Sequence, residues 1–113
     1  MTYDANDIVV VPFPFTDKST SKRRPALVLS QADTFNNTAS QSVLAMITSA
    51  KNSDWPLDIE ILDLDCAGLP SPSVVRMKLF TLDHKLIIRK AGVLSSGDQL
   101  AVIGALGKLF GLK

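Results

Sequence analysis

Three consecutive cations, Lys22, Arg23 and Arg24, stand directly before Pro25 and the apolar run Ala26-Leu27-Val28-Leu29. An arginine offers five donors in a planar fork that matches phosphate oxygens. Proline restricts the residue before it to extended backbone, so Arg24 is aimed by the start of a strand. A cation fixed in this way suits an anion that must be placed accurately. Arg76 and Lys78 make a second pair, two residues apart in an alternating segment, and so share one face of a strand. Thr48 and Ser49 close another apolar segment. A hydroxyl there can hydrogen-bond a phosphate or simply finish the strand. Lys22 and Arg23 read equally as phosphate contacts or as solvated loop charges.

Other chemistries find less support. The sequence holds no CxxC, no HExxH and no cluster of His, Cys and carboxylate residues, so neither a metal nor a cofactor is expected. His84 is the single histidine, which rules out a two-histidine acid–base mechanism. Beside Asp83 it reads as a solvated turn residue. The single cysteine, Cys66, cannot form an intrachain disulfide and reads as a small apolar residue.

The elements that must hold these side chains fit one domain, residues 1–113. With 46% hydrophobic residues the chain can build a core, and a formal charge of +1 confines any nucleic-acid contact to a local patch. No stretch approaches the roughly 20 apolar residues of a membrane span, and the N-terminus lacks a signal core. A soluble, cytoplasmic protein is expected.

Ile8-Val9-Val10-Val11 predicts a first strand whose second half, interrupted by Pro12 and Pro14, is an edge. Residues 16 to 23 read as a polar loop, and Pro25 as the opening of the second strand. Residues 31 to 42 have room for one helical turn anchored by Phe35. Val43 to Thr48 is apolar on both faces and therefore central. Asp58 to Leu62 and Ser73 to Phe80 alternate, the latter with Arg76 and Lys78 opposite Val75, Met77 and Leu79. A short strand at 92–94 precedes a C-terminal helix. Ser96 and Gln99 suggest its capping box, Leu100, Ile103, Leu106 and Phe110 its apolar face, and Gly111 its stop. Many short strands with a terminal helix argue a small, strongly bent sheet or barrel.

Taken in order, "DIVVVPFPFTD", "KRRPALVLS", "AMITS" and "SVVRMKLFTLD" resemble the PemK/MazF family of toxins from bacterial toxin–antitoxin pairs. The likeness covers nearly the whole chain. It implies a mainly β fold, an SH3-like barrel with a short inserted helix and a C-terminal helix, assembled as a homodimer. It also implies metal-independent, sequence-specific cleavage of single-stranded RNA, and a cognate antitoxin whose acidic, apolar, disordered segment folds into the same groove. The family's catalytic arginine before proline maps to Arg24, its strand-end hydroxyl to Thr48, and its Val-Val-Arg arginine to Arg76. Some members carry an aspartate two residues beyond that arginine; here Lys78 reverses the charge.

Metal-free RNA cleavage uses the substrate's 2′-OH as nucleophile and must stabilise a crowded dianionic phosphorus. Arg24 and Arg76 would supply forked donors and Thr48 would position a non-bridging oxygen. Arginine, with a pKa above about 12, is a poor acid or base unless cationic neighbours depress it, so an electrostatic role is preferred. Lys22, Arg23, Asp17, Ser49, Trp55 and Lys78 are the candidate RNA contacts, Trp55 as a base-stacking platform and Asp17 as a reader of base edges. Phe13 and Phe15 are expected in the core. The competing reading is a non-enzymatic SH3-like module that binds a peptide or a nucleic-acid strand, which the charge reversal at Lys78 keeps open.

Overall fold

The computed structural model describes residues 2–13, 22–52 and 54–112. Its strands are β1 (Asp7–Phe13), β2 (Lys22–Val28), β3 (Gln41–Ser49), β4 (Ile59–Glu60), β5 (Ser73–Asp83) and β6 (Arg89–Val93). They form one curled sheet in the order β4-β5-β3-β2-β1-β6, every neighbouring pair antiparallel. The result is the expected mainly β, SH3-like architecture, an antiparallel half-barrel with a C-terminal helix.

The alternation of side chains builds two cores, one on each face of the sheet. Ile8, Leu27, Ala45, Ile47, Val75 and Met77 pack on one side with Val102 and Ala105 of the C-terminal helix. Val9, Val11, Ala26, Val28 and Leu44 pack on the other with Tyr3, Leu82 and Ile87. β3 lies between β2 and β5 and is covered on both faces, which is why its middle, residues 43–47, is apolar without a break.

The prolines fall where ladder donors are not required. β1 pairs with β2 from Ile8 to Phe13 but with β6 only from Asp7 to Val10, so Pro12 lies on a half-edge as expected. β2 begins at Lys22, not at Pro25. Lys22 and Arg23 are therefore strand residues rather than loop residues. Pro25 is tolerated inside the strand because the ladder to β3 starts one residue later, at Ala26.

β5 carries the main irregularity. Met46 pairs with Arg76, yet its neighbour Ala45 pairs with Leu79, which leaves Met77 and Lys78 as extra residues. Such an insertion bends the strand. Because two residues are inserted, the alternation survives, and Arg76, Lys78 and Phe80 stay on one face as expected.

Three expectations require correction. The segment after β2 forms a π-helical turn, Ala32–Asn36, running into α1 (Asn37–Ala39). Its anchor is Asn36, not Phe35, which is exposed. The buried Asn36 amide donates to the carbonyls of Tyr3 (2.9 Å) and Ser30 (2.8 Å) and accepts from the Ser30 hydroxyl. A short helix, α2 (Leu64–Ala67), occupies what reads as irregular chain. Asp63 caps it by accepting from the Cys66 N–H at 3.0 Å, and Gly68, at φ +71°, ends it. Cys66 is exposed rather than a core residue.

The C-terminal helix α3 (Ser96–Phe110) is capped one residue earlier than its sequence suggests. Ser95 Oγ accepts from the Asp98 N–H at 3.3 Å. The buried Asp98 carboxylate then accepts from the N–H groups of Leu62 and Asp63 at 3.1 Å, tying the helix to the segment after β4. The helix therefore buries Val102 and Ala105. Of the stripe expected to face the core, Leu106 packs against it while the rest is left outside, with Leu100 71%, Ile103 61% and Phe110 59% exposed.

Candidate active site

Arg24 and Thr48 line the same grooves. Ala26 and Met46 form the last pair of the β2–β3 ladder at this end, and Arg24 and Thr48 lie two residues beyond it on their strands. On its other edge β3 pairs Thr48 with Val74 and Met46 with Arg76. Cross-strand partners share a face, so Arg24, Thr48 and Arg76 project from the same side of the sheet. All three sit half-buried at the end of the three central strands.

Two grooves meet at this point. One, of about 350 Å³, is lined by Arg24, Thr48, Arg76 and Lys78, with Phe13 and Met46 among its apolar walls. The other, of about 320 Å³, is lined by Lys22, Arg23, Arg24, Thr48 and Ser49, and closed by Leu69 and Pro70. Arg24 and Thr48 border both grooves and form the saddle between them.

Each side chain has a definite setting. The Arg24 guanidinium lies over the Phe13 ring, 4.9 Å from its centroid. Phe13 therefore supports the site instead of filling the core, while Asp17 and Phe15 lie outside the described residues. The Thr48 hydroxyl accepts from the Asn52 amide across a long 3.4 Å. Arg76 is the most constrained group. Its Nε donates to Asp58 Oδ1 at 3.2 Å, and its Nη2 donates to Asp58 Oδ2 at 2.8 Å and to the Asn52 carbonyl. The bond to Asp58 raises the Arg76 pKa further, so this group stays a cation and has no proton to give.

Trp55 is half-exposed above this cluster. Lys78 Nζ lies 4.5 Å from its ring centroid and Arg76 Cζ 5.8 Å, both within cation–π range. Ser49 is exposed, its hydroxyl accepting from the Lys51 N–H at 3.3 Å.

Sequence reading missed Asp58 and Asn52. Asp58 looks like the polar position of an alternating strand, and no local signal tells that its carboxylate turns back onto Arg76. His84 lies elsewhere. Its ring meets the Ser42 hydroxyl at 2.8 Å and stacks edge-on against Tyr3, with ring centroids 5.1 Å apart. It is a partly buried structural residue rather than a solvated one. Ser42 and Thr48 sit six residues apart on β3, which separates His84 from the saddle by about 20 Å. Among the described residues, no three His, Cys, Asp or Glu side chains converge as metal ligands would. No helix among them is long and apolar enough to cross a membrane.

A curled half-barrel whose central strands carry an arginine–threonine saddle, flanked by further cations and an exposed indole, has the features with which small β modules hold extended anionic chains. The chain is a member of the PemK-like, MazF-like family of toxins of type II toxin–antitoxin systems, whose pattern matches residues 4–110.

Solved structures agree. A MazE–MazF complex (Form-II) from Deinococcus radiodurans is 26% identical at a TM-score of 0.77, over 100% of this chain and 99% of that one. MazF (Form-I) from the same organism is 25% identical at a TM-score of 0.74, over 98% of both chains. An endoribonuclease in complex with its cognate antitoxin from a mycobacterial species shares 14% identity at a TM-score of 0.76, over 99% of this chain and 96% of that one, a likeness of fold alone. No curated protein matches the sequence.

Proposed function

We propose that the protein is a metal-independent, sequence-specific endoribonuclease that cleaves single-stranded RNA as the toxin of its pair. The observation that carries this reading is the saddle. Arg24 and Thr48, on adjacent strands, both line the two grooves where these join, so a strand lying through both would present one phosphodiester to them. The substrate's 2′-oxygen attacks phosphorus, the bond to the 5′-oxygen breaks, and the products are a 2′,3′-cyclic phosphate and a 5′-hydroxyl. Arg24 neutralises the charge that accumulates on the non-bridging oxygens, and Thr48 orients one of them. Arg76 adds fixed positive charge from the far wall. Lys22, Arg23, Ser49 and Lys78 hold flanking backbone, and Trp55 stacks a base.

The partners follow from the same surfaces. A cationic groove with apolar walls suits an acidic, apolar antitoxin segment that folds on contact. The exposed Leu100–Ile103–Phe110 stripe of α3 suits a second copy of the chain and hence a homodimer. A cytoplasmic site of action fits an RNA target.

One observation favours the binding-module alternative: Asp58 already occupies the Arg76 fork, and position 78 is a cation rather than a carboxylate. Incubating the purified protein with a diverse RNA pool and mapping new ends decides between the two. Cleavage at a recurring motif, unaffected by EDTA, supports the nuclease. No new ends in any context supports the binding module.

A further inference from the structure

Beyond the saddle the molecule carries a third groove, of about 270 Å³, lined by Arg23, Arg24, Pro25, Leu69, Pro70 and Arg89 among others. It shares Arg23, Arg24 and the Leu69–Pro70 wall with the groove next to it, so the two are continuous. Its position follows from register. Val10 pairs with Pro25 on one edge and with Arg89 on the other, which sets Pro25, Val10 and Arg89 in one cross-strand row. Arg23, two residues before Pro25, projects from that same face.

Charge and rigidity both mark this groove as built. Three arginines border it and no carboxylate does. Two other cations of the sheet are paired, Arg76 with Asp58 and Lys90 with Asp7 at 3.1 Å. Among the described residues Arg23, Arg24 and Arg89 belong to no ion pair. Arg89 is exposed, and the neighbouring Lys90 alone neutralises Asp7. The opposite wall is fixed, because Gly68 packs so tightly on β6 that a Cβ there would lie 2.1 Å from the Ala91 carbonyl oxygen. Guanidinium groups outside any ion pair, carried on two neighbouring edges of β1 beside a rigid wall, break no existing salt bridge when they bind an anion.

We propose that Arg89, together with Arg23, binds a backbone phosphate of the RNA strand on one flank of the scissile bond, so that the strand leaves the saddle past the start of β2 and crosses toward β6. This assignment rests on the ribonuclease reading. β2 and β6 flank β1, so the two arginine-bearing strands lie about 10 Å apart. That span corresponds to about three nucleotides at duplex rise, and fewer in an extended strand. The ligand class is the phosphodiester of single-stranded RNA, recognised by charge and not by base.

The test uses the whole chain and a mixed-sequence oligoribonucleotide pool made uncleavable by 2′-O-methyl sugars. Affinity is measured against salt concentration for the wild type, Arg89→Gln, and Lys108→Gln as a control on α3. Loss of one phosphate contact should reduce the slope of log affinity against log salt by about 0.7 for Arg89→Gln, with no change for the control. Lys108→Gln should cleave RNA at the wild-type single-turnover rate, whereas Arg89→Gln should need a higher RNA concentration to reach saturation. An Arg89→Gln slope and affinity equal to wild type would overturn the assignment, as would a loss confined to an acidic peptide and absent for RNA. Failure of the wild type to cleave any RNA, with the slope still reduced, would sink the nuclease reading and leave the phosphate site standing.

Discussion

The Asp58 carboxylate grips the Arg76 guanidinium through two of its nitrogens, at 3.2 and 2.8 Å, and both side chains are largely withdrawn from solvent. This pairing aims the remaining nitrogen: among the described residues, Nη1 of Arg76 has no hydrogen-bond partner. Asp58 is thus a positioning residue, and it also subtracts one charge from the groove. Asp58→Asn separates these effects. Affinity for single-stranded RNA should rise at low salt, because a negative charge is removed. The cleavage rate at saturation should fall by up to about a hundredfold, because the arginine is no longer aimed. Michaelis analysis on one defined substrate measures both, and an unchanged saturating rate would refute the positioning role.

Trp55 is the single tryptophan in the chain and is 42% exposed above Lys78 and Arg76. An indole already flanked by two cations is ready to take a base on its open side. Its fluorescence should change on titration with uncleavable RNA. Trp55→Ala should weaken binding by about 1–3 kcal/mol, the range for one base stacked on an aromatic ring. Equal dissociation constants for variant and wild type would remove the stacking platform from the account.

His84 gives the protein a pH signature that has nothing to do with catalysis. Burial lowers its pKa below the ordinary value of 6.5, outweighing the opposing pull of Asp83. The unfolded chain therefore binds a proton more readily than the folded one in the interval just below 6.5. Stability from this group is fully present above that value and is lost as pH falls through the lower folded pKa. Thermal unfolding between pH 7.5 and 5.5 should show the decline in the wild type and a flatter profile in His84→Gln. The same variant should cleave RNA at the wild-type rate, since the imidazole lies far from the saddle; a large loss of activity would implicate it after all.

The outward stripe of α3 makes a separate prediction about assembly. Leu100, Ile103 and Phe110 stay exposed because Asp98 and the Val102–Ala105 side dock the helix from the opposite direction. The double change Leu100→Asp and Ile103→Asp should give monomers by sedimentation while leaving the far-UV circular dichroism of the fold intact. A dimer that survives both charges would place its interface elsewhere.

A β-branched run announces β1 and an unbroken apolar run β3, while period-two alternation announces β5 and puts Arg76 and Lys78 on a common face. The proline after Arg24 reveals that this side chain is aimed. These features are local, so the chain displays them openly. What the sequence hides is set by distant partners. Asn36 is buried because it satisfies the carbonyls of Tyr3 and Ser30, and Asp58 grips Arg76 only because β5 passes beside it. The helical periodicity of α3 is real, but periodicity does not say which neighbour an apolar stripe will meet. The cap at Ser95 in place of Ser96 was a choice between adjacent serines, decided by the two backbone donors that Asp98 reaches.

The central claim is that a guanidinium at position 24 stabilises the charge at the scissile phosphorus. Single-turnover cleavage of a substrate carrying the mapped motif, measured for wild type and Arg24→Ala at saturating protein, tests it most directly. The account predicts a loss of roughly a hundredfold to a thousandfold, with an unchanged circular dichroism spectrum and with RNA still bound through the remaining cations. Cleavage by Arg24→Ala at the wild-type rate would contradict it.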